Sequence, residues 1–155
     1  VSAVLLVYRA SRPYVAVVGR LPSDGRWVDL ERHPEARAPS GIVVVRPESG
    51  LFYGNADNVH AAILGAVDGT PDRVRAVIVD AESVPTIDIT AADMFARLAT
   101  DLEHRGIELS VARDRGQVQD VLRHSEAADL ATFDHPTLDL AVAAQRSVAA
   151  EQDGQ

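Results

Sequence analysis

The five residues Ala76–Asp80 (AVIVD) place the tightest constraint on how this chain folds. Apolar, mostly β-branched side chains follow one another without polar alternation until a carboxylate closes the run. A strand of that kind is buried on both faces and needs covering elements above and below it. Similar character recurs at residues 14–18 (YVAVV), 42–46 (IVVVR) and 107–112 (IELSVA). Residues 51–54 read as one more short strand, close enough behind 42–46 to pair with it as a hairpin across a turn at 47–50.

Between these runs the apolar spacing changes to that of helices. Val59, Ile63, Ala66 and Val67 lie on one face of a helix that Asn55 is placed to cap and that Gly69 and Pro71 stop. A second helix follows Thr90, with Ala91, Phe95, Leu98 and Leu102 turned inward, Asp93 in a capping-box position and Gly106 at its end. Asp114 and Gln117 form a similar pair ahead of Val118, Val121 and Leu122, and Thr137 starts a helix carrying Leu138, Ala141, Val142 and Ala149. Strands alternating with helices predict an α/β fold: a mostly parallel central sheet, an antiparallel hairpin at its start, and about four helices. Residues 19–41, with Pro22, Gly25, Pro34 and Pro39, form a long connection holding a short turn near 27–30, and residues 131–133 are left unassigned.

The chain divides into residues 1–12, a single domain over 13–150, and a polar, frayed tail at 151–155. The opening VSAVLLVY is apolar and is followed by Arg9 and Arg12. Eight residues cannot span a bilayer, which takes roughly 20. Apolar first and basic second is how a transmembrane helix leaves the membrane on its cytoplasmic side, whereas a signal peptide has the reverse order. An edge strand or an arm packed on the core is the alternative.

With 155 residues, the chain suits one compact domain, and its net charge of −8 works against nucleic acid as a partner. There is no cysteine, so disulfides, thiolate catalysis and cysteine-held zinc are excluded. All 15 basic residues are arginine, so no phosphate-gripping lysine loop can be completed. Glycine-rich dinucleotide and GxSxG motifs are missing, and His33, His60, His104, His124 and His135 show no metal-ligand spacing. These absences point to a domain that is not an enzyme and has no metal. An aspartate ending a strand, as Asp80 does, is similar to the phosphoacceptor of receiver domains, but the acidic residues after the first strand and the late lysine of that site are lacking.

In a sheet of this kind, sites gather beyond the carboxyl ends of the parallel strands. Here that edge is Asp80, the loop 81–89 made rigid by Pro85, and Asp88, Ile89 and Thr90 at the start of a helix. Thr90 reads first as a helix cap. A hydroxyl there is also where a phosphate can be added or bound, because free N–H groups and the helix dipole favour an anion.

Two segments carry a family resemblance. Arg12–Pro13 with Ala16–Val17 and Gly19–Arg20, then Glu31, Pro34, Gly41 to Arg46 and Leu51 to Asn55, resemble the start of the STAS domain of SulP-type anion transporters. VIVDAESVPTIDITAADMF resembles that family's strand, aspartate loop and second helix, and the likeness extends from about Arg12 to Ala149. Anti-sigma-factor antagonists share the fold and the second signature but not the proline-rich connection. The resemblance implies a non-catalytic regulatory and assembly domain. It would follow the last membrane span of a sulfate or related anion transporter, on the cytoplasmic face of the membrane. Its implied partners are the transmembrane domain of the same polypeptide, a second copy in the intact transporter, and in several members a nucleotide (GTP, GDP or ATP). Phe52, Tyr53, Asn55 and Thr90 are the residues that would meet a nucleotide, by stacking and at helix starts. The antagonists' phosphorylated residue directly follows the loop aspartate. Here Asp88 matches that aspartate and Ile89, without a hydroxyl, stands at the site, leaving Thr90 as the nearby substitute. Asp88 is expected to hold the loop by accepting backbone N–H bonds, or to recognise a partner. A freestanding antagonist-like module switched by phosphorylation or nucleotide is the alternative function.

Overall fold

A computed structural model describes residues 2–153. The elements run α1 (Ala3–Ser11), β1 (Val15–Arg20), β2 (Trp27–Asp29), β3 (Ile42–Pro47), α2 (Ala56–Asp68), β4 (Ala76–Asp80), α3 (Ile89–Glu103), β5 (Glu108–Ala112), α4 (Gly116–Arg123), a 3-10 turn (Glu126–Asp129), β6 (Thr132–His135) and α5 (Leu138–Asp153). The six strands form one sheet in the order β2-β1-β3-β4-β5-β6. β1 is antiparallel to both β2 and β3, and the β3–β4, β4–β5 and β5–β6 pairs are parallel. This is the α/β fold expected from the alternation of runs.

All five residues of β4 are buried, as its unbroken apolar run requires. Its odd-numbered side chains, Val77 and Val79, face a core built with Val59 and Ile63 of α2 and Phe95, Leu98 and Leu102 of α3. Its even-numbered ones, Ala76 and Ile78, face a smaller core with Leu138, Ala141 and Val142 of α5. With Val118 and Leu122 of α4 in the first core, α2, α3 and α4 cover one face of the sheet, and among the described residues α5 alone covers the other. Thr137 starts α5, its Oγ1 accepting from Leu140 N at 3.1 Å.

Several local expectations are corrected. Residues 51–54 are not a strand and form no hairpin with β3. Only Leu51 is extended, in an isolated parallel bridge to Ile87, because its N–H and C=O are taken by Thr86 O and Asp88 N. The hairpin-like pairing comes from β1 instead, which lies between β2 and β3. β2 occupies the place of the turn expected near 27–30, and of the unassigned residues 131–133 the last two open β6, the edge strand. The opening residues are neither edge strand nor core arm: α1 is a helix with no buried residue. At the other end α5 extends through residues 151–153 of the expected tail, and residues 154–155 lie outside the described part. Asp114 and Gln117 do not cap α4, whose N-cap is Arg115, without a side-chain bond.

Tyr14, between α1 and β1, is tied to the end of β2: its hydroxyl donates to Asp29 Oδ2 at 2.7 Å, with Glu31 Oε2 at 3.1 Å as a second acceptor sharing the same proton. The bond to Asp29, helped by partial burial and by Glu31, raises the phenol's pKa well above its ordinary 10.0. The folded state thus favours the protonated phenol. That contribution to stability is complete below pH 10.0 and is lost as pH rises through the folded value. In an alkaline absorbance titration of the folded chain, Tyr14→Phe should remove a tyrosinate step lying well above pH 10.0; an unchanged curve would contradict the contact.

Candidate functional site

β3, β4 and β5 end together at an edge built around one carboxylate. Asp80 is fully buried. A buried charge is tolerated only when paired and hydrogen-bonded. Arg46 Nε, at the end of β3, donates to Asp80 Oδ2 at 2.7 Å, and Arg113 Nε, just beyond β5, donates to Oδ1 at 2.9 Å. Arg113 Nη2 donates to Oδ2 as well, and Glu82 N donates to Oδ1 at 3.1 Å. Arg113 reaches this bidentate position from left-handed backbone (φ 58°), a conformation that costs a residue with a Cβ about 1 kcal/mol or more. Its Nη1 also meets Glu82 Oε2 at 2.7 Å. Burial acts to lower the Arg113 pKa, but the hydrogen bond and charge of Asp80, with Glu82 behind them, outweigh it and hold the guanidinium above its ordinary value. Both carboxylate oxygens of Asp80 are committed, so it is a strand-end clamp and not an accessible phosphoacceptor.

The signature loop runs beside this clamp, tied down at several points. Gln117 treats Ile87 as a strand partner: its Oε1 accepts from Ile87 N at 2.9 Å and its Nε2 donates to Ile87 O at 2.7 Å. One residue on, Asp88 is the N-cap of α3, its Oδ1 accepting from Ala91 N at 2.8 Å. Thr90, expected as the cap, lies in the first turn instead. The other Asp88 oxygen accepts from Tyr53 N at 2.8 Å, binding the 52–55 turn to the loop.

Asn55 extends the chain of ties. It stands at the N-cap of α2, yet its side chain makes no capping bond; it is almost fully buried and turned back into the loop. Its Oδ1 accepts from Phe52 N at 3.0 Å, and its Nδ2 donates to Gly50 O at 2.9 Å and to Ala10 O at 3.3 Å. Asn58 Nδ2 adds a bond of 2.6 Å to Ser11 O. The root of α1, the 50–55 turn and the signature loop are therefore linked by hydrogen bonds from Ala10 to Ala91.

The structure thus gathers Phe52, Tyr53, Asn55, Asp88, Ile89 and Thr90 at one edge. Ile89 and Tyr53 are 75% and 77% exposed, and the Phe52 and Tyr53 rings meet edge to face with centroids 5.7 Å apart. Beside Ile89 a groove of about 480 Å³ runs between α3 and α4, floored by Ala92 and Val121 and rimmed by Asp93, Asp120, Glu126 and His124. Apolar at its floor and acidic at its rim, it suits a protein surface better than a phosphate. Among the described residues no group of three or more His, Asp or Glu side chains is arranged to hold a metal.

Sequence reasoning missed the roles of Arg46, Arg113 and Gln117. A carboxylate ending a fully buried strand was the available signal for the first two, since such a group must find cations nearby. Replacing Asp88 with Ala should cost about 1 kcal/mol in urea unfolding through the lost cap and raise amide exchange at Tyr53 and Ala91 together. Exchange rising at Ala91 alone would show that the loop and the 52–55 turn are not joined by this carboxylate.

Residues 33–141 match the STAS domain family. A probable sulfate transporter of Mycobacterium tuberculosis is 31% identical over 144 residues, covering 93% of this chain and 26% of that protein. The chain thus spans about a quarter of the length of that curated relative. The murine solute carrier 26 family member A9 anion transporter, in the inward-facing state, superimposes with a TM-score of 0.81 at 15% identity, covering 94% of this chain and 24% of the other. A putative anti-sigma factor antagonist of Thermotoga maritima gives 0.60 at 14% identity, over 71% of this chain and 92% of its own. These two structural likenesses establish the shared fold alone. With most of its length matched by the family and its Asp-Ile-Thr loop at the edge just described, the chain belongs to the STAS domain family.

Proposed function

We propose that this chain is a regulatory and assembly domain of a SulP-type membrane transporter for sulfate or a related anion. In this reading it lies on the cytoplasmic side, and its function is binding and coupling, not catalysis. The observation that carries it is α1. This helix leaves Val4, Leu5, Leu6, Val7 and Tyr8 exposed, buries none of its residues, and is fastened to the domain at its root by Asn55 and Asn58. An isolated helix of nine residues has little stability of its own in water, so its apolar surface calls for an environment that the domain does not supply. No helix among the described residues is long and apolar enough to cross a membrane. α1 fits the last turns of a span whose earlier part precedes it, with Tyr8, Arg9 and Arg12 at the interface and the Arg12 guanidinium 5.2 Å from the Tyr8 ring centroid. The likeness to a probable sulfate transporter of Mycobacterium tuberculosis supports the same reading.

On this account the signature loop is a contact surface sensed through α1. Ile89 and Tyr53 would face the transmembrane domain of the same polypeptide or the second copy in a homodimer. A nucleotide at Phe52, Tyr53, Asn55 and Thr90 is the weaker reading, because Asp93, Asp120 and Glu126 rim the adjacent groove. A freestanding phosphorylation switch is favoured only by the exposed Thr90 in the first turn of α3.

Sequencing the reading frame upstream of Val1 tests the proposal. It predicts several apolar stretches of roughly 20 residues, the last running into α1. A start codon within a few residues of Val1 would overturn it. On the isolated chain, titration with GTP or ATP should leave the Tyr53 and Ala91 amide resonances in place; saturable shifts would restore the nucleotide reading.

A further inference from the structure

The opposite end of β1 carries a cluster that the STAS reading does not use. Arg20 closes β1 and is paired across one side with Trp27 of β2. On its other side it exchanges both backbone bonds with Arg37, Arg20 N to Arg37 O at 2.9 Å and Arg37 N to Arg20 O at 2.8 Å. Residues directly opposite in antiparallel pairing project to the same face, so Trp27, Arg20 and Arg37 form a row. They face α5, where Asp139, Val142 and Arg146 recur at three- and four-residue spacing along one side of the helix. The result is a groove of about 490 Å³ with three guanidiniums and, among the described lining residues, one carboxylate.

Like charges placed directly opposite one another cost stability, and here, among the described lining residues, the chain's overall excess of acid supplies Asp139 alone as counter-ion. Asp139 is shared: its Oδ1 accepts from Trp27 Nε1 at 3.2 Å and lies 3.5 Å from Arg20 Nε. Among the described residues Arg37 Nη1 finds only long contacts, 3.5 Å to Pro34 O and 3.4 Å to Ala36 O. Arg146 has no ion pair among the described residues. Arg20, by contrast, is held in place, its Nε donating to Gly25 O at 3.3 Å. Three guanidinium groups bordering one groove, with a surplus of two positive charges over the single lining carboxylate, match a tetrahedral dianion, which such groups can bind bidentately.

We propose that the groove formed by Arg20, Arg37, Arg146 and Trp27 binds a tetrahedral oxyanion of the sulfate–phosphate class. The same chemistry is offered by a free anion and by a phospholipid headgroup. The free anion is favoured because Arg20 lies at the far end of β1 from α1, roughly 17 Å from Val15 along the strand. That choice of source rests on α1 facing the membrane; the groove itself does not.

Trp27 is the only tryptophan, so its fluorescence reports on this groove. The 155-residue chain should be titrated with sulfate, with phosphate and with chloride at matched ionic strength, and separately with phosphatidylcholine vesicles containing phosphatidic acid. The expected result is a saturable change with sulfate and phosphate but not with chloride. Arg37→Gln and Arg146→Gln should each weaken it about tenfold, while Arg105→Gln, the same loss of charge elsewhere on the surface, leaves it unchanged. Arg146 has no ion pair to lose among the described residues, so its variant should fold even if the Arg37 variant does not. Absence of a saturable change, an equal response to chloride, or wild-type titration by Arg146→Gln would overturn the site. A response to vesicles with none to either free anion would overturn the free oxyanion and assign the groove to lipid, against the placement of α1 and independently of the upstream sequence.

Discussion

The fold is organised around a carboxylate that has no access to water. Asp80 ends the central strand, and its charge can stay buried only because β3 supplies Arg46 and the residue after β5 supplies Arg113. Three strand ends are thereby drawn to one point, and Arg113 accepts left-handed backbone to complete the cluster. The energetic weight of such a cluster appears when it is broken. Replacing both partners by apolar groups can be nearly neutral, whereas removing one leaves an unpaired buried charge and costs about 3–5 kcal/mol. The clamp holds the carboxyl edge rigid, and the signature loop, fastened at Ile87 by Gln117 and at Asp88 by Tyr53 N and Ala91 N, is strung across that edge.

From this follows a division of labour between the two ends of the sheet. One end holds the root of α1, the 50–55 turn and the signature loop, joined by short bonds between neutral groups and by the Asp88 carboxylate. Its surface is apolar and acidic, suited to another protein surface. The other end carries Arg20, Arg37 and Arg146 with, among the described lining residues, a single carboxylate, suited to a small anion. Because β1 runs directly between Tyr14 beside α1 and Arg20 in the groove, a stiff strand connects the two regions. No movement needs to be invoked for the ends to be mechanically in register.

Much of this was legible in the sequence, and the misses have physical causes. The unbroken AVIVD run dictated a two-faced strand, and the helical periods of α2, α3 and α5 placed their buried faces correctly. The resemblance to SulP STAS domains, carried by the Arg12–Arg20 opening and the Asp-Ile-Thr loop, led to the family. The failures lie where a side chain serves the backbone of a distant segment. Asn55 and Gln117 occupy positions that local rules assign to helix capping, but tertiary bonds to Ala10, Gly50 and Ile87 claimed them. Leu51 looked like the start of a strand because it is apolar and buried, yet its backbone pairs with the loop and not with β3. Trp27–Asp29 is only three residues long inside a proline-rich stretch, too short for alternation to show. The arginine groove was invisible in principle: Arg146 lies more than a hundred residues from Arg20 and Arg37, and only the packing of α5 on the sheet brings them together.

The central claim is that the root of α1 and the signature loop behave as one cooperative unit. A double-mutant cycle with Asn55→Ala, Asp88→Ala and the double variant, read by urea unfolding, tests it most directly. The hydrogen bonds of the two side chains go to different groups, but both hold the 50–55 turn, so an interaction energy of about 1 kcal/mol is expected. Additivity to within about 0.3 kcal/mol would show that the two ties are independent and that α1 has no energetic connection to the loop.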